Sequence, residues 1–208
     1  MTTTTGVARA CPLFTKMVDC WEPLSSADAL TLKGKYGVGA VGQYLENLTA
    51  KTRDGIWAAD LPILLLSDAP AGLLSAAVGH SKAASLLTLA GALGAPKTLH
   101  LMADFEAQEG DAEGYDTAIT GDVAAGGFTP LAYVGAGQPL TGHQLYGLPN
   151  AHLYWRGGSV GIAEPDCGFA IWQVPPLDQI LAGTGTQVDV SLIGADARGR
   201  SPILWYPN

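Results

Sequence analysis

The chain has 208 residues, 48% of them hydrophobic and only 14% charged, so it can bury a sizeable core and is not a disordered segment. A net charge of −8, with no run of Lys/Arg and no aromatic-basic interleaving, argues against a nucleic-acid partner. No apolar stretch is long and uninterrupted enough to enter a membrane.

The start, Met1-Thr-Thr-Thr-Thr-Gly, is polar and lacks the basic and apolar regions of a signal peptide. The expectation is a protein made in the cytoplasm that reaches an outside target by lysis, in a virion or through a dedicated secretion system. Cys11, Cys20 and Cys167 are an odd set without CxxC spacing and read as free thiols.

Strand-like apolar runs recur along the chain with helical segments between them. The first is Lys16–Trp21, followed by a helix over Ser26–Tyr36. The second strand is Val38–Leu45, followed by a short helix over Arg53–Ala59. Leu61–Asp68 is the third. The clearest helix, Gly79–Leu93, is rich in Ala and Leu and is stopped by Gly94 and Pro96. The fourth strand is Thr98–Glu106, with a weaker helix over Gly114–Ala125. Thr129–Val134 is the fifth, followed by a weak helix over Pro139–Tyr146. The sixth, seventh and eighth are Ala151–Trp155, Phe169–Val174 and Val188–Ile193, joined by Gly/Pro-rich connections poor in helix signal. Eight strands alternating with helices predict an α/β fold, a single compact (β/α)8 TIM-type barrel with reduced late helices. The whole chain, 1–208, reads as one domain, with 1–14 as an N-terminal extension. An open doubly wound sheet is the rival, but no Gly-rich phosphate loop follows the first strand.

The most informative segment is the fourth strand, an apolar run that ends in Asp104-Phe105-Glu106. Alternation puts Asp104 and Glu106 on one face, where two carboxylates are costly unless paired, solvated or used. Paired carboxylates at a strand end suit acid/base chemistry on a polar substrate, and glycoside hydrolysis is their commonest use. Asp19, Asp68 and Asp189 also fall on or near strand ends. Tyr44, Tyr133, Trp155, Trp172 and Gln173 lie among them as candidate substrate-binding groups, because sugar rings stack on aromatic faces while their hydroxyls bond to acids and amides. His80, His100, His143 and His152 have no metal-ligand spacing. Neither a GxSxG elbow nor a Walker-type loop is present, so no metal and no cofactor is expected.

These segments resemble a known group. Val18-Asp19-Cys20-Trp21, Asp104-Phe105-Glu106 and Val188-Asp189-Val190-Ser191 are similar to the first-strand, fourth-strand and last-strand motifs of Chalaropsis-type lysozymes. A closer resemblance is to a glycoside-hydrolase-like barrel family of unknown function found in bacterial secreted proteins and phage lysins. It rests on Val41-Gly42-Gln43-Tyr44-Leu45, Gly79-His80-Ser81-Lys82-Ala83-Ala84, Leu93-Gly94-Ala95-Pro96, Tyr133-Val134-Gly135 and Ile171-Trp172-Gln173. Two positions depart from that pattern: Gln43 stands where the family has arginine, and Gly55 where it has glutamate.

The resemblance implies cleavage of a β-1,4 glycosidic bond, with peptidoglycan or a related glycan as partner. Glu106 would be the general acid, its proton retained through repulsion by an ionised Asp104. Asp19 and Asp189 would position the sugar or act as base. The alternative is a catalytically inactive glycan-binding or structural barrel, such as a component of a virion or secretion particle.

Overall fold

The computed structural model describes residues 6–70, 72–105, 109–159 and 161–208. In chain order these form β1 (Val7–Ala10), β2 (Thr15–Cys20), α1 (Ser26–Tyr36), β3 (Ala40–Tyr44), α2 (Ala50–Ala58), β4 (Ile63–Leu66), α3 (Ala76–Ala92) and β5 (His100–Phe105). They continue with α4 (Ala112–Ala125), β6 (Thr129–Val134), α5 (Gly142–Gly147), β7 (Leu153–Arg156), β8 (Ile171–Ile180), β9 (Gln187–Ile193) and β10 (Ile203–Tyr206). Local chemistry sets the helix starts. Ser25, Thr49, Ser75, Asp111 and Thr141 each accept a hydrogen bond from a backbone N–H in the first turn of α1 to α5.

All eight anticipated strands form, as β2 to β9, and close on themselves in the order β4-β3-β2-β9-β8-β7-β6-β5, with β5 pairing back to β4. The fold class needs one correction. Strands β2 to β8 run parallel around the barrel, whereas β9 is antiparallel to both β8 and β2. The barrel is therefore mixed, and its last unit is not the β/α repeat of a (β/α)8 barrel. The cause is the connection: only residues 181–186 join β8 to β9, a hairpin length, while a parallel partner needs a crossover of about a dozen residues or more. Among the described residues, no helix lies between β7 and β8 either.

Two further strands lie outside the anticipated set. β1 pairs antiparallel with β10, from Val7 opposite Tyr206 to Ala10 opposite Ile203. β10 in turn meets β4 at Trp205 opposite Ile63. Where β4 and β5 share only the Leu65–Leu101 pair, β10 lies near both strands, and the Ile203 N–H donates to His100 Nδ1 at 2.8 Å. His100 is thus a satisfied core group. Burial, with lesser contributions from His152 and Arg200, lowers its pKa to about 3, so the ring is neutral.

Alternation along the strands separates two apolar layers. Met17, Ala40, Leu64, Met102, Leu131, Leu153, Ile171 and Ile193 fill the barrel interior. Val18, Val41, Leu65, Leu101 and Phe105 face outward against Leu32 of α1, Ile56 of α2, Leu86 of α3 and Ile119 of α4. Gly79 permits the close approach of α3 to α4, since a Cβ there would sit 2.6 Å from the Tyr115 carbonyl oxygen.

The interior face turns polar at one end of the barrel. Stepping two residues on from the filled layer, Met17 leads to Asp19, Leu66 to Asp68, Met102 to Asp104, Leu131 to Tyr133 and Ile171 to Gln173. β9 runs the other way, so Ile193 leads back through Ser191 to Asp189 at the same end.

Candidate functional site

Asp19 and Asp189 stand directly opposite each other across the antiparallel β2–β9 pair, where facing Cβ atoms lie about 4.5–5.5 Å apart. Gly42, beside Asp19 on β3, makes room for this arrangement: a Cβ at that position would fall 2.9 Å from both Asp19 Cβ and Leu66 Cδ1. The two acids are held differently. Asp189 is half-buried and is met by two donors, the Asp178 N–H at 2.5 Å on Oδ1 and Gln173 Nε2 at 2.8 Å on Oδ2. Asp19 is only 7% exposed, and its buried Oδ1 has no hydrogen-bond partner among the described residues.

Both carboxyls are pushed above the usual range. For Asp19 the rise is large; burial is the main cause and repulsion by Asp189 adds to it, against a smaller opposing effect of its own backbone N–H. For Asp189 burial raises the pKa, the Asp178 N–H opposes it and the Asp178 carboxylate adds to it. Of the two, Asp19 holds a proton the more tightly, because it is more deeply buried and its Oδ1 meets no donor among the described residues, whereas two donors converge on Asp189.

A cleft of about 290 Å³ opens over this pair. Asp19 and Asp189 lie in its lining, with Glu22, Asp178, Trp21 and Tyr44 around them. Trp21 is 47% exposed and meets the Tyr44 ring edge-on at 5.1 Å between centroids, so an aromatic face is available beside the acids. A hydrogen-bonded web supports the pair from the β6–β8 side. Gln173 Oε1 accepts from Tyr133 Oη at 2.9 Å and from the Gly158 N–H at 2.8 Å, which fixes the amide so that its Nε2 points at Asp189.

The other side of the mouth carries a cationic centre. Lys82 of α3 donates to Glu46 at 2.7 Å and also to Asp68. Burial lowers the affinity of Lys82 for its proton, but the two carboxylates outweigh that and hold the ammonium charged. Asp68 is therefore tied to Lys82 and does not line the cleft. Asp104 is buried at the end of β5, in register with Tyr133. Glu106, the acid singled out in the sequence, lies outside the described residues.

Two aromatic candidates take other positions. Trp172 projects from the outer face of β8, because Ile171 and Gln173 on either side point inward. Its ring packs where a Cβ on Gly194 would come within 2.6 Å, so it belongs to the outer layer and not to the mouth. Trp155 does point inward but is 1% exposed and lies edge-on to Tyr133 at 5.2 Å, so it forms part of the barrel filling and presents no open face.

Gln43 also lies on an outward face, fully buried. Its Nε2 donates to the carbonyls of Cys20 at 3.1 Å, Trp21 at 3.5 Å and Glu22 at 3.4 Å, and its Oε1 accepts from the Leu24 N–H at 3.3 Å. It braces the loop that carries Trp21 and Glu22. Gly55 sits where α2 touches α1, 2.6 Å from Ser26 Oγ were it to carry a Cβ. Neither lines the cleft.

The sequence reading missed Glu22, Trp21 and Asp178 as cleft residues, and Lys82 with Glu46 as the paired centre. Lys82 left a signal, a single cation in the apolar stretch Gly79–Leu93. Asp178 left none, because its place depends on the register break between Val174 and Gln179 in the β8–β9 pairing. The three cysteines are free and buried.

No family model matches the sequence, and no curated protein does. Solved structures do. An uncharacterized protein of B. stearothermophilus aligns over 86% of this chain and 95% of its own, with a TM-score of 0.68 at 18% identity. The modular autolysin LytC of Streptococcus pneumoniae aligns over 92% of this chain and 46% of its own, with a TM-score of 0.53 at 14% identity. These likenesses show that the fold is shared.

Proposed function

We propose that the chain is a glycoside hydrolase acting on peptidoglycan or a related glycan, with the Asp19–Asp189 pair as its acid centre. The observation that carries this reading is the unequal pair: one carboxyl deeply buried, with an oxygen that meets no donor among the described residues, its neighbour met by two donors, both in the lining of an aromatic-walled cleft. Environments that push two carboxyls apart in this way assign acid and base. Likeness in fold to a modular autolysin supports the choice of a cell-wall glycan.

In the proposed reaction Asp19 gives its proton to the glycosidic oxygen as the bond to the anomeric carbon breaks. The Asp189 carboxylate stabilises the positive charge that develops on the sugar ring. Water then adds to the anomeric carbon and its released proton returns to Asp19. Glu106, the general acid expected from the sequence, enters on sequence grounds alone. The cell wall, reached from a protein made in the cytoplasm or carried on a phage particle, is the place of action in this proposal.

Clearing of a cell-wall suspension, with reducing ends counted, tests it. Wild type is expected to release reducing ends and Asp19→Asn to lose about 100-fold or more, the usual worth of a positioned general acid. Equal rates for both would remove Asp19 from the mechanism, and a parallel Glu106→Gln variant shows whether the acid role lies there. Binding of wall fragments without any new reducing ends would favour the inert barrel. Gln43, where the sequence departs from the family pattern, serves as a brace outside the cleft.

A further inference from the structure

The cleft over Asp19 and Asp189 has a one-sided charge. Glu22 and Asp178 stand exposed at its rim, Asp189 lies half-buried within, and no Lys, Arg or His is among its lining residues. Glu22, Asp178 and Asp189 thus bring three carboxylates to a space of about 290 Å³, beside the buried Asp19. On the mouth, Lys82 is consumed by Glu46 and Asp68, and Arg156 donates to the carbonyls of Gly157 and Ser159. Beside the acids, the Trp21 face is open, and aromatic faces attract cations as well as sugar rings. Asp19 adds an independent sign of a missing partner: it is 7% exposed, and its Oδ1 finds no partner among the described residues.

We infer that this cleft selects glycans carrying free ammonium groups, that is, N-deacetylated amino sugars, over their N-acetylated counterparts and over sugars bearing carboxylates. The inference rests on the glycan reading above and names the substrate class for that site. An ammonium group on the sugar bound next to the cleaved bond meets Glu22 or Asp178 at the rim. The sugar ring lies against Trp21, and its hydroxyls meet the Asp189 side of the floor. An acetamido group in the same place brings no charge to offset the carboxylates, and a carboxylate is repelled. Clefts lined by one sign of charge also raise the local concentration of the opposite sign, in a manner that salt screens.

The test uses two ladders of β-1,4-linked glucosamine hexasaccharides that differ only in N-acetylation, with affinity measured by calorimetry at pH 6 in low and high salt. The deacetylated ladder is expected to bind at least about 10-fold tighter at low salt, with the ratio shrinking at 0.5 M salt as screening grows. Glu22→Gln combined with Asp178→Asn should bring the ratio close to 1. A remote pair with the same change in charge, Asp60→Asn with Glu113→Gln, should leave the ratio unaltered.

Equal affinity for the two ladders, or a preference for the acetylated one, overturns the inference and leaves the glycan reading standing. Loss of the ratio in the remote pair also overturns it, by showing attraction to the whole acidic protein. Binding of neither ladder overturns the inference and the glycan reading together.

Discussion

Replacing Gln43 by Ala removes the brace under the loop after β2. The side chain is fully buried and spans the loop, so the cost is set by what is left behind. Trp21 O keeps a donor, Asn47 Nδ2 at 3.0 Å. The Leu24 N–H and the Cys20 carbonyl lose the amide, both in buried surroundings. A buried polar group stripped of its partner costs about 1–3 kcal/mol, and these bonds, at 3.3 and 3.1 Å, are not the shortest of their kind, so the lower half of that range applies to each. Adding the void left by the missing amide, the expected loss is about 3 kcal/mol. For a chain of this size that lowers Tm by roughly 6–12 °C. Urea unfolding followed by circular dichroism at pH 7 measures it, with Asn47→Ala as the comparison. That residue contributes one exposed bond to the same loop and should cost no more than about 1 kcal/mol. A loss below about 1 kcal/mol for Gln43→Ala, or an equal loss for the two variants, would refute the assignment of Gln43 as the element that holds Trp21 and Glu22 in place.

Asp19→Asn, which should remove hydrolysis, is expected to stabilise the fold at neutral pH. Asp19 holds its proton more tightly in the native state than in the unfolded chain, so the native state binds more protons and wild-type stability falls as pH rises from the ordinary carboxyl value of 3.8 to the raised one. Asn does not titrate. The variant should gain on wild type with rising pH by about 1.4 kcal/mol for each tenfold tightening of proton binding. Denaturation at pH 3 and pH 7 checks this, and a stability difference identical at both would show that Asp19 is not held protonated. Lys82→Met leaves the Glu46 and Asp68 carboxylates facing one another without their shared ammonium. Because the Lys82 side chain is 16% exposed and Asp68 37%, the cost falls between that of surface and buried pairs, about 1–3 kcal/mol by urea unfolding. An unchanged midpoint would mean that the pair is fully solvent-screened.

Much of the scaffold was legible because it is written in local chemistry. Runs such as Leu61–Asp68 and Thr129–Val134 are too apolar to be anything but buried strands, and α1 forms over the residues that its Ser25 cap and the following Gly37 enclose. Alternation grouped Asp104 with the residues two positions away, and the closed barrel made that face the interior one. Trp172 could not: in Ile171-Trp172-Gln173 every residue suits either face, and only the register with β9 decided which one turned inward. β1 falls inside the segment read as an N-terminal extension, and β10 follows the eight strands that complete a barrel, so neither was anticipated.

The sequence by itself determined the alternation of strands and helices, the free thiols, the acidic character of the chain and the recurrence of acids near strand ends. Each of these follows from residues a few positions apart. Only the tertiary structure decided that β9, which closes the barrel, runs backwards, which follows from the short β8–β9 connection and brings Asp189 to the mouth from the opposite chain direction. It also decided which acids meet. Asp19 and Asp189 are separated by most of the chain, and they are held unequally, by burial at Asp19 and by donors from β8 and its bulge at Asp189, which no local pattern announces. Electrostatics and burial depend on distance in space, and that distance exists only once the barrel has closed.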